Sequence, residues 1–205
     1  MPVPLKQALK IGSYVMRQKL KGRERYPLVL MLEPLFRCNL ECIGCGKIQK
    51  PNEILNKNLT VDQCLNAAKE CGAPVVSIAG GEPLMHPQIV EIVEGLVKQK
   101  RYIYLCTNAL LLKNFFGKLP ISPFLTLSIH LDGLEEDHDR IVDKKGVFKI
   151  AVEAVREAKK AGYRVTSATT FFEGTTVEQA ETFLDFLNPL GLDGVTLSSA
   201  FRYPD

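Results

Sequence analysis

The sequence lacks the features that mark membrane-spanning, secreted, disordered and nucleic-acid-binding proteins. None of its 205 residues lies in an apolar run of about 18 or more, so no segment is predicted to span a membrane. The N-terminus has no apolar signal-peptide core, which predicts a cytoplasmic protein. The net charge is only +3 and 24% of the residues are charged, which indicates neither disorder nor a nucleic-acid partner. We find no internal repeat, low-complexity segment or second domain.

The composition is that of one folded domain. Hydrophobic residues make up 46% of the chain, enough for a substantial core. The six cysteines are expected to be thiols or metal ligands rather than disulfides, because the cytoplasm keeps thiols reduced. Cys64 and Cys71 lie seven residues apart on the apolar side of a predicted helix, so we assign them to core packing.

Strands and helices are predicted to alternate from residue 28 onward. The first strand, Leu28 to Leu32, is an unbroken apolar run, which is typical of a strand buried on both faces. The alternation predicts an α/β fold with a parallel sheet and right-handed crossovers. In such folds the loops that carry the chemistry gather at the carboxyl ends of the strands. The predicted strands are residues 28–32, 74–78, 102–106, 124–129, 163–169 and 194–197.

Local signals mark the ends of two intervening helices. Thr60–Gln63 is a capping box before one helix, and Gly72 is placed to end it. A second capping box is predicted at Thr175–Glu178, and Asn188–Pro189 is expected to stop the helix that follows.

Three cysteines follow the first predicted strand in the spacing C-x3-C-x2-C: Cys38, Cys42 and Cys45. Three thiolates on one short loop can bind three irons of a cubane cluster and leave the fourth iron open to a substrate. Gly44 and Gly46 allow the backbone to wrap closely around such a cluster. A structural zinc site is the alternative, but zinc takes four ligands and the next cysteines are a helix away.

A glycine-rich turn follows the second predicted strand. Gly80 and Gly81 let the backbone approach a ligand, and Glu82 offers an acceptor to an ammonium group. On its own such a turn is an ordinary solvated loop. Because it follows a cysteine triad by one βα unit, we interpret it as part of a binding site.

Polar residues also end the third and fourth predicted strands, and we assign them to cofactor binding. Thr107 and Asn108 end the third strand. Ser128, His130 and Asp132 alternate along the fourth, so they share one face and are predicted to point toward the same interior. For His130 and Asp132, a local cap or a His–Asp pair that only braces the loop remains the alternative. The other histidines are predicted to lie in loops without a role: His86 and His138.

The triad after the first strand, with Gly80-Gly-Glu-Pro83 after the second, resembles the radical S-adenosylmethionine (radical SAM) superfamily. The resemblance implies a partial (β/α)6 barrel that binds a 4Fe-4S cluster and S-adenosylmethionine. It implies that the triad holds the cluster, that Gly80, Gly81 and Glu82 hold the methionine amino group, and that Ser128 contacts the nucleoside. In that superfamily an electron from the cluster cleaves the sulfonium to a 5′-deoxyadenosyl radical.

A closer resemblance, to the adenosyl-hopene transferases of hopanoid biosynthesis, extends over nearly the whole chain. The stretch from Glu33 to Leu40, EPLFRCNL, is more specific than the cysteine spacing. The resemblance implies addition of the 5′-deoxyadenosyl radical to the terminal alkene of a thirty-carbon hopene, which gives adenosylhopane. That family continues into a C-terminal extension with further cysteines, so residues 26–205 are expected to be a radical SAM core domain without it. The matching stretches are residues 26–40, 45–48, 53–57, 70–74, 104–112 and 130–133.

Cys106 ends the third predicted strand, where its thiol can face the cavity. Radical addition leaves a carbon radical on the product, and a thiol is a good hydrogen-atom donor to such a radical. We therefore hypothesise that Cys106 is a catalytic residue that supplies this hydrogen. The alternative is a small core residue at a strand end. Alternation puts Tyr102 and Tyr104 on the same face, so they stay open as donors.

Residues 1–25 are predicted to carry a basic amphipathic helix over residues 4–21. Residues 6–25 hold seven Lys or Arg against one acid, and the broad apolar side of the helix consists of Leu5, Ala8, Leu9, Tyr14, Val15 and Met16. Such a helix can lie on an anionic bilayer, which would suit an enzyme at the inner membrane face that takes a hopene from lipid. The alternative is a helix packed on the barrel with a solvated basic edge.

Two other functions stay open. One is a radical SAM enzyme that abstracts hydrogen from a peptide or small molecule and releases 5′-deoxyadenosine instead of an adduct. The other is a non-catalytic iron–sulfur or zinc protein that carries electrons or scaffolds a complex. Either radical SAM function also needs an electron-donating partner, a reductase or a flavodoxin or ferredoxin.

Overall fold

The sheet consists of six parallel strands, in a computed structural model that describes residues 3–200. Each strand pairs with its neighbour in sequence, and the sheet curls into a half-barrel, which confirms the predicted α/β partial (β/α)6 barrel. The core domain is predicted to end at residue 205 without the family's C-terminal extension. Residues 201–205 lie outside the described residues. The strands are β1 Val29–Leu32, β2 Val75–Ile78, β3 Tyr102–Thr107, β4 Leu125–His130, β5 Arg164–Phe171 and β6 Gly194–Ser199.

Seven α-helices lie in the described part of the chain, most of them in the crossovers between strands. Three short 3-10 helices, at Pro83–Met85, Leu112–Phe115 and Asn188–Leu190, complete the crossovers. Within residues 3–200, no helix has the length and apolar character needed to cross a bilayer. The helices are α1 Leu5–Leu20, α2 Asn52–Leu55, α3 Val61–Cys71, α4 Ile89–Lys98, α5 Glu135–Ile141, α6 Val147–Lys160 and α7 Val177–Leu187.

The two faces of the sheet differ in polarity. On the outer face Ile78, Leu105 and Leu127 are fully buried in the core with residues of α4 and α6, where each contributes about 1.5–3 kcal/mol. Because side chains alternate along a strand, the intervening residues face the inside of the half-barrel. That inner face is polar: Ser77, Tyr104, Cys106, Thr126, Ser128 and Thr166.

The prediction that the first strand is buried on both faces is wrong. Val29 and Met31 are exposed, whereas Leu32 is buried. β1 is an edge strand that pairs only with β2, and its inner face is uncovered. The opposite edge strand is similarly open, since Val195 and Leu197 of β6 are exposed. The apolar run correctly indicated a strand but not its position in the sheet.

The helix ends follow local chemistry with one correction. The capping box of Thr60 and Gln63 is present, and Gly72 ends α3 in the left-handed conformation (φ 70°). The second box is formed by Thr176 and Gln179, one residue later than predicted. Both threonines fit the T-x-x-E/Q pattern, and the burial of Phe183 and Leu187 decides the helix register.

Helix α1 lies against the amino ends of β3 and β4, and its span confirms the helix predicted over residues 4–21. Gln7 Nε2 donates a hydrogen bond to the Tyr104 hydroxyl (3.3 Å). The Lys10 ammonium lies over the rings of Tyr102 and Phe124, 5.4 and 5.3 Å from their centroids. Helix α1 therefore covers the end of the half-barrel opposite to the cysteine loop.

Candidate active site

The cysteine loop leaves the carboxyl end of β1 and is tied to the rest of the fold at two points. Cys38, Cys42 and Cys45 are all half-buried, and Cys45 N–H donates to the carbonyl of Cys42 (3.1 Å). Ile43 N–H donates to the carbonyl of Ile141 at the end of α5 (2.8 Å). Leu40 is buried against the segment that joins α5 to α6. The loop is therefore held in place before any ligand binds.

Burial changes the ionisation of two of the three thiols, Cys38 and Cys42. Burial, with smaller contributions from Cys38, Cys45 and Asp132, raises the pKa of Cys42 to about 12. Burial also raises the pKa of Cys38, with Glu82 and Cys45 adding to the shift. Thiolates are the ligand form, so loading of a metal centre here has to release protons.

The donor set fits a cubane cluster better than zinc. Among the residues that the structure describes, no three Cys, His, Asp or Glu side chains converge on one point that could hold a single metal ion. A structural zinc site needs four such ligands around one ion. A cubane cluster instead takes each thiolate on a separate iron, so three spaced thiols on one loop suit it.

The glycine-rich turn after β2 packs directly on the start of the cysteine loop. Gly80 has φ +113°, and a Cβ atom there would lie 2.2 Å from the carbonyl oxygen of Leu35. A Cβ atom on Gly81 would lie 2.0 Å from the carbonyl oxygen of Arg37. Gly81 N–H donates to Leu35 and Glu82 N–H donates to Arg37 (3.1 and 3.0 Å). The close approach that these glycines permit is thus to the backbone of the cysteine loop.

Glu82 is buried, and its carboxylate is held by three hydrogen bonds. Oε1 accepts from Leu84 N–H and from the Thr107 hydroxyl (both 2.9 Å), and Oε2 accepts from Asn108 N–H (2.8 Å). Burial raises the pKa of Glu82, while these bonds and the nearby His130 oppose the shift. A carboxylate has about four lone-pair directions, so Oε2 retains acceptor capacity for an ammonium group.

Asn108 joins the end of β3 to the cysteine loop. Its Nδ2 donates to Asn39 Oδ1 (2.7 Å) and lies 3.8 Å from Cys38 Sγ, and its Oδ1 accepts from Leu110 N–H (3.1 Å). Thr107 and Asn108, predicted to bind the cofactor, therefore contact Glu82 and the loop of Cys38. Their observed contacts position other site residues.

Cys106 lies on the inner face of β3 among hydroxyl groups. Its Sγ is 3.5 Å from Ser77 Oγ, and Ser128 is its register partner on β4. Burial raises the pKa of Cys106, although hydrogen bonds to Ser77 and Ser128 and the charge of Lys47 partly offset this. At neutral pH the group is therefore a thiol that retains its hydrogen.

His130 and Asp132 form a pair at the carboxyl end of β4. His130 Nε2 contacts Asp132 Oδ2, and Asp132 Oδ1 accepts from Thr170 N–H of β5 (2.6 Å). The pair therefore braces β4 against β5, as in the open alternative, while His130 stays partly exposed toward the site.

The prediction that His138 lies in a loop is wrong. The residue is in α5, where it is buried. Its Nδ1 accepts from Asp132 N–H (3.1 Å), and its ring lies 5.5 Å from that of His130. Burial, with the nearby His130, lowers the pKa of His138 to about 4. The neutral ring thus helps to fix the His130–Asp132 pair. His86 is buried as well, and its Nε2 lies 2.9 Å from the carbonyl of Leu59.

A cavity of about 520 Å³ lies beside these residues, at the carboxyl ends of β4 and β5. Of the predicted site residues, Asp132 lines it, whereas the cysteine triad, Glu82 and Cys106 do not. Its walls combine apolar side chains, such as Ile43 and Phe172, with acidic ones, such as Asp137. The cavity therefore neighbours the site rather than containing it.

Sequence reasoning missed several residues that the fold brings to the site. Asn39 is the partner of Asn108, and Arg37 holds the loop through Asn58 Oδ1 (2.7 Å) and the carbonyl of Met85 (3.1 Å). Lys47 and Glu33 form an ion pair on the same side as Cys106. Their proximity to the triad in sequence was the available signal, because a ligand loop requires fixed neighbours.

Comparison with families and curated proteins gives a consistent set of relatives. A family model described as the Radical SAM superfamily matches residues 32–187. A GTP 3′,8-cyclase of Thermodesulfovibrio yellowstonii is 31% identical over 140 residues, which are 65% of this chain and 44% of that protein. A probable GTP 3′,8-cyclase of Methanococcus maripaludis is 26% identical over 174 residues, 83% of this chain and 57% of that one. The chain thus spans about half the length of these relatives.

Solved structures share the fold. Streptococcus suis SuiB bound to S-adenosylmethionine superposes with a TM-score of 0.76 at 20% identity, over 93% of this chain and 45% of that chain. TYW1 with a lysine-pyruvate adduct bound gives a TM-score of 0.65 at 16% identity, over 93% and 74% of the two chains. Identity this low establishes a common fold and nothing finer.

Proposed function

The chain belongs to the radical SAM superfamily. Within this superfamily, we propose that it is an adenosyltransferase acting on a hopene. Its cofactors are a 4Fe-4S cluster and the cosubstrate S-adenosylmethionine. When bound, the cluster supplies the electron that cleaves S-adenosylmethionine to the 5′-deoxyadenosyl radical. We assign Cys38, Cys42 and Cys45 to the cluster and the free acceptor capacity of Glu82 to the methionine ammonium.

The observation that carries adenosyl transfer is the half-buried thiol of Cys106 on the inner face, whose pKa is raised by burial. Addition to the alkene joins the adenosyl 5′ carbon to the triterpene and leaves a carbon radical on the product. We propose that the Cys106 S–H bond then breaks as a C–H bond forms. The thiyl radical takes up one electron from a reductase, flavodoxin or ferredoxin and one proton from water before the next turnover.

The other two candidate donors are engaged elsewhere. The Tyr104 hydroxyl is bonded to Gln7 of α1, and the Tyr102 ring is packed against Phe124 beneath Lys10. Both hydroxyl-bearing rings therefore lie toward the amino end of β3, away from the cysteine loop. Of the three residues on this face of the strand, Cys106 lies nearest to its carboxyl end.

Segments of the sequence that resemble one family also support a hopene as the substrate. The segment from Glu33 to Leu40 and the segments around Cys106 and His130 resemble the adenosyl-hopene transferases. A thirty-carbon triterpene dissolves in bilayers, so we expect the enzyme to meet its substrate at a membrane surface.

A second candidate comes from the curated relatives, which are named GTP 3′,8-cyclases. On this alternative the chain acts on a nucleotide, and the adenosyl radical abstracts hydrogen from it. The two candidates differ in the fate of the adenosyl group, which ends in the product in one case and as free 5′-deoxyadenosine in the other.

The decisive experiment is anaerobic product analysis. The chain is reconstituted with iron and sulfide, reduced with dithionite and given S-adenosylmethionine with either a thirty-carbon hopene or GTP. A Cys42→Ala variant, which lacks one cluster thiol, gives the background. We expect a hopene–adenosyl adduct by mass spectrometry from the unmodified chain alone.

Three results would contradict this expectation. A cyclised nucleotide from GTP would favour the second candidate. Free 5′-deoxyadenosine without adduct would point to hydrogen abstraction from a peptide or another small molecule. Neither product from a fully loaded cluster would mean that this 205-residue chain is not a catalyst by itself, as expected of an electron carrier.

A further inference from the structure

Helix α1 differs from an ordinary surface helix because most of its large apolar side chains are exposed. The side that faces the half-barrel is mixed: Gln7 is 4% exposed and donates to Tyr104, the Tyr14 hydroxyl donates to the carbonyl of Pro27 (2.9 Å), and Ile11 and Val15 are half-buried. A surface helix of a soluble protein normally turns its apolar stripe toward the core and its polar residues outward. The orientation of α1 instead leaves its largest exposed apolar side chains on the side away from the half-barrel.

Those apolar side chains form one outward stripe. Leu5 is 74% exposed, Leu9 63%, Met16 65% and Leu20 81%. Their spacings of four, seven and four residues keep them on one side of a helix with 3.6 residues per turn. Gly12, which lies within the stripe, has no heavy atom within 4 Å of the position that a Cβ would occupy. The stripe is about 22 Å long, from a rise of 1.5 Å per residue.

Positive charge borders the outward stripe. Lys6, Arg17 and Lys19 are exposed on α1 beside it, and the segment that follows adds further exposed cations. Between residues 6 and 25 the single acid is Glu24. Lys10 is the exception among these cations, because it turns toward the half-barrel and donates to the carbonyl of Lys100. The surface thus combines an apolar ridge with a cationic border.

We propose that this face of α1 docks on an anionic lipid bilayer. The outward stripe would enter the boundary between headgroups and acyl chains, and the cations beside it would contact anionic headgroups. A second copy of the chain is a poor occupant, because it would bring two cationic borders together. The choice of lipid rests in part on the proposed function, since a bilayer is where a hopene dissolves.

The proposal is tested by vesicle sedimentation of the full chain, with no S-adenosylmethionine or hopene present. The vesicles are phosphatidylcholine alone or phosphatidylcholine with phosphatidylglycerol. We expect pelleting with the anionic vesicles, weakened by salt. The double variant Leu9→Glu/Met16→Glu should weaken it by at least about tenfold, because each residue removes buried apolar surface from the bound state.

A matched control adds the same two charges at exposed apolar positions elsewhere. Ile150→Glu/Val177→Glu changes α6 and α7 and should bind as the unmodified chain does. Far-ultraviolet circular dichroism verifies that both variants fold. Since no catalysis is measured, failure here would leave the adduct assay untouched as the test of the proposed function.

Three results would overturn the docking proposal. Pelleting that is unchanged in the Leu9→Glu/Met16→Glu variant would place lipid contact elsewhere. Equal pelleting with neutral vesicles would remove the role of the cationic border. A dimer in solution that this variant dissociates, without binding to either vesicle, would make the stripe a self-association surface.

Discussion

Cys106 illustrates how the inner wall of the half-barrel controls one side chain. The thiol is surrounded by hydroxyl groups of β2 and β4, Ser77 at 3.5 Å and Ser128 across the strand pair. Burial raises the pKa of Cys106, so at neutral pH the thiol keeps the hydrogen that a donor must give. The same residue in a deprotonated state could donate no hydrogen atom.

Replacing Cys106 by Ala should separate cleavage from product formation. We expect consumption of S-adenosylmethionine to continue while the saturated hopene–adenosyl adduct falls by about tenfold to a hundredfold, because a placed reacting group is lost. Both quantities are measured by mass spectrometry in the same reaction. The matched control is Cys71→Ala, which removes a half-buried thiol at the end of α3. Equal adduct yield from Cys106→Ala would reject the donor role.

At the scale of elements, the site is an assembly of loop contacts between successive strand ends. The turn after β2 packs on the cysteine loop at Gly80 and Gly81. At the end of β3, Thr107 donates to Glu82 of that turn and Asn108 donates to Asn39 of the cysteine loop. These contacts join residues up to about 70 positions apart, as for Asn108 and Cys38. The sequence predicted each strand end separately, because motifs are local. It could not predict which polar groups would bind each other.

Gly81→Ala should displace the cysteine loop, because the new Cβ would lie 2.0 Å from the carbonyl oxygen of Arg37. We expect a loss of roughly 3 kcal/mol in the free energy of unfolding, as for an overpacked site, together with lower iron content after reconstitution. Urea unfolding and iron analysis measure the two effects. Gly12→Ala in α1 is the control, since no heavy atom lies within 4 Å of its Cβ position and it is remote from the cysteine loop. Similar behaviour of the two variants would contradict the packing account.

The N-terminal cap of α7 provides a second prediction at this scale. Thr176 Oγ1 accepts from Gln179 N–H (3.2 Å), and Gln179 Oε1 accepts from Thr176 N–H (2.9 Å). Thr176→Ala should therefore cost about 1 kcal/mol in the free energy of unfolding. Thr175→Ala, one residue earlier, should stay within about 0.5 kcal/mol. If thermal or urea unfolding found the larger loss at Thr175, the helix would begin one residue earlier.

For the whole molecule, the half-barrel has a dense outer core and two open edges. The strands in the middle of the sheet are buried against α4 and α6, whereas β1 and β6 expose apolar side chains. Short apolar runs indicated six strands correctly, because the strands of a parallel sheet are mostly covered on both faces. Position in the sheet depends on contacts between distant segments, so the apolar sequence of the edge strand β1 was wrongly predicted to be buried on both faces.

The buried His138 should make global stability depend on pH. The pKa of this ring is lowered from 6.5 to about 4 by burial, so the unfolded chain takes up a proton that the folded chain does not. Its contribution is complete above about pH 6.5 and is lost as the pH falls to about 4. The loss amounts to about 3 kcal/mol at 1.36 kcal/mol per pKa unit.

His138→Asn tests this dependence because Asn retains an acceptor for Asp132 N–H but does not titrate. Urea unfolding is measured for both proteins between pH 7 and pH 4.5. We expect the variant to be less stable at neutral pH, since the ring is buried, but to lose less stability on acidification. Parallel curves would show that another group carries the pH dependence.

The sequence by itself determined the fold class, the position of the cysteine triad after the first strand and membership of the radical SAM superfamily. These features rest on local patterns, namely the short apolar runs, the cysteine spacing and the glycine-rich turn. The tertiary structure alone decided the three bonds that hold the Glu82 carboxylate and the pairing of His138 with Asp132. It also decided that α1 turns its apolar stripe outward, because an amphipathic sequence does not specify which of its faces meets the half-barrel.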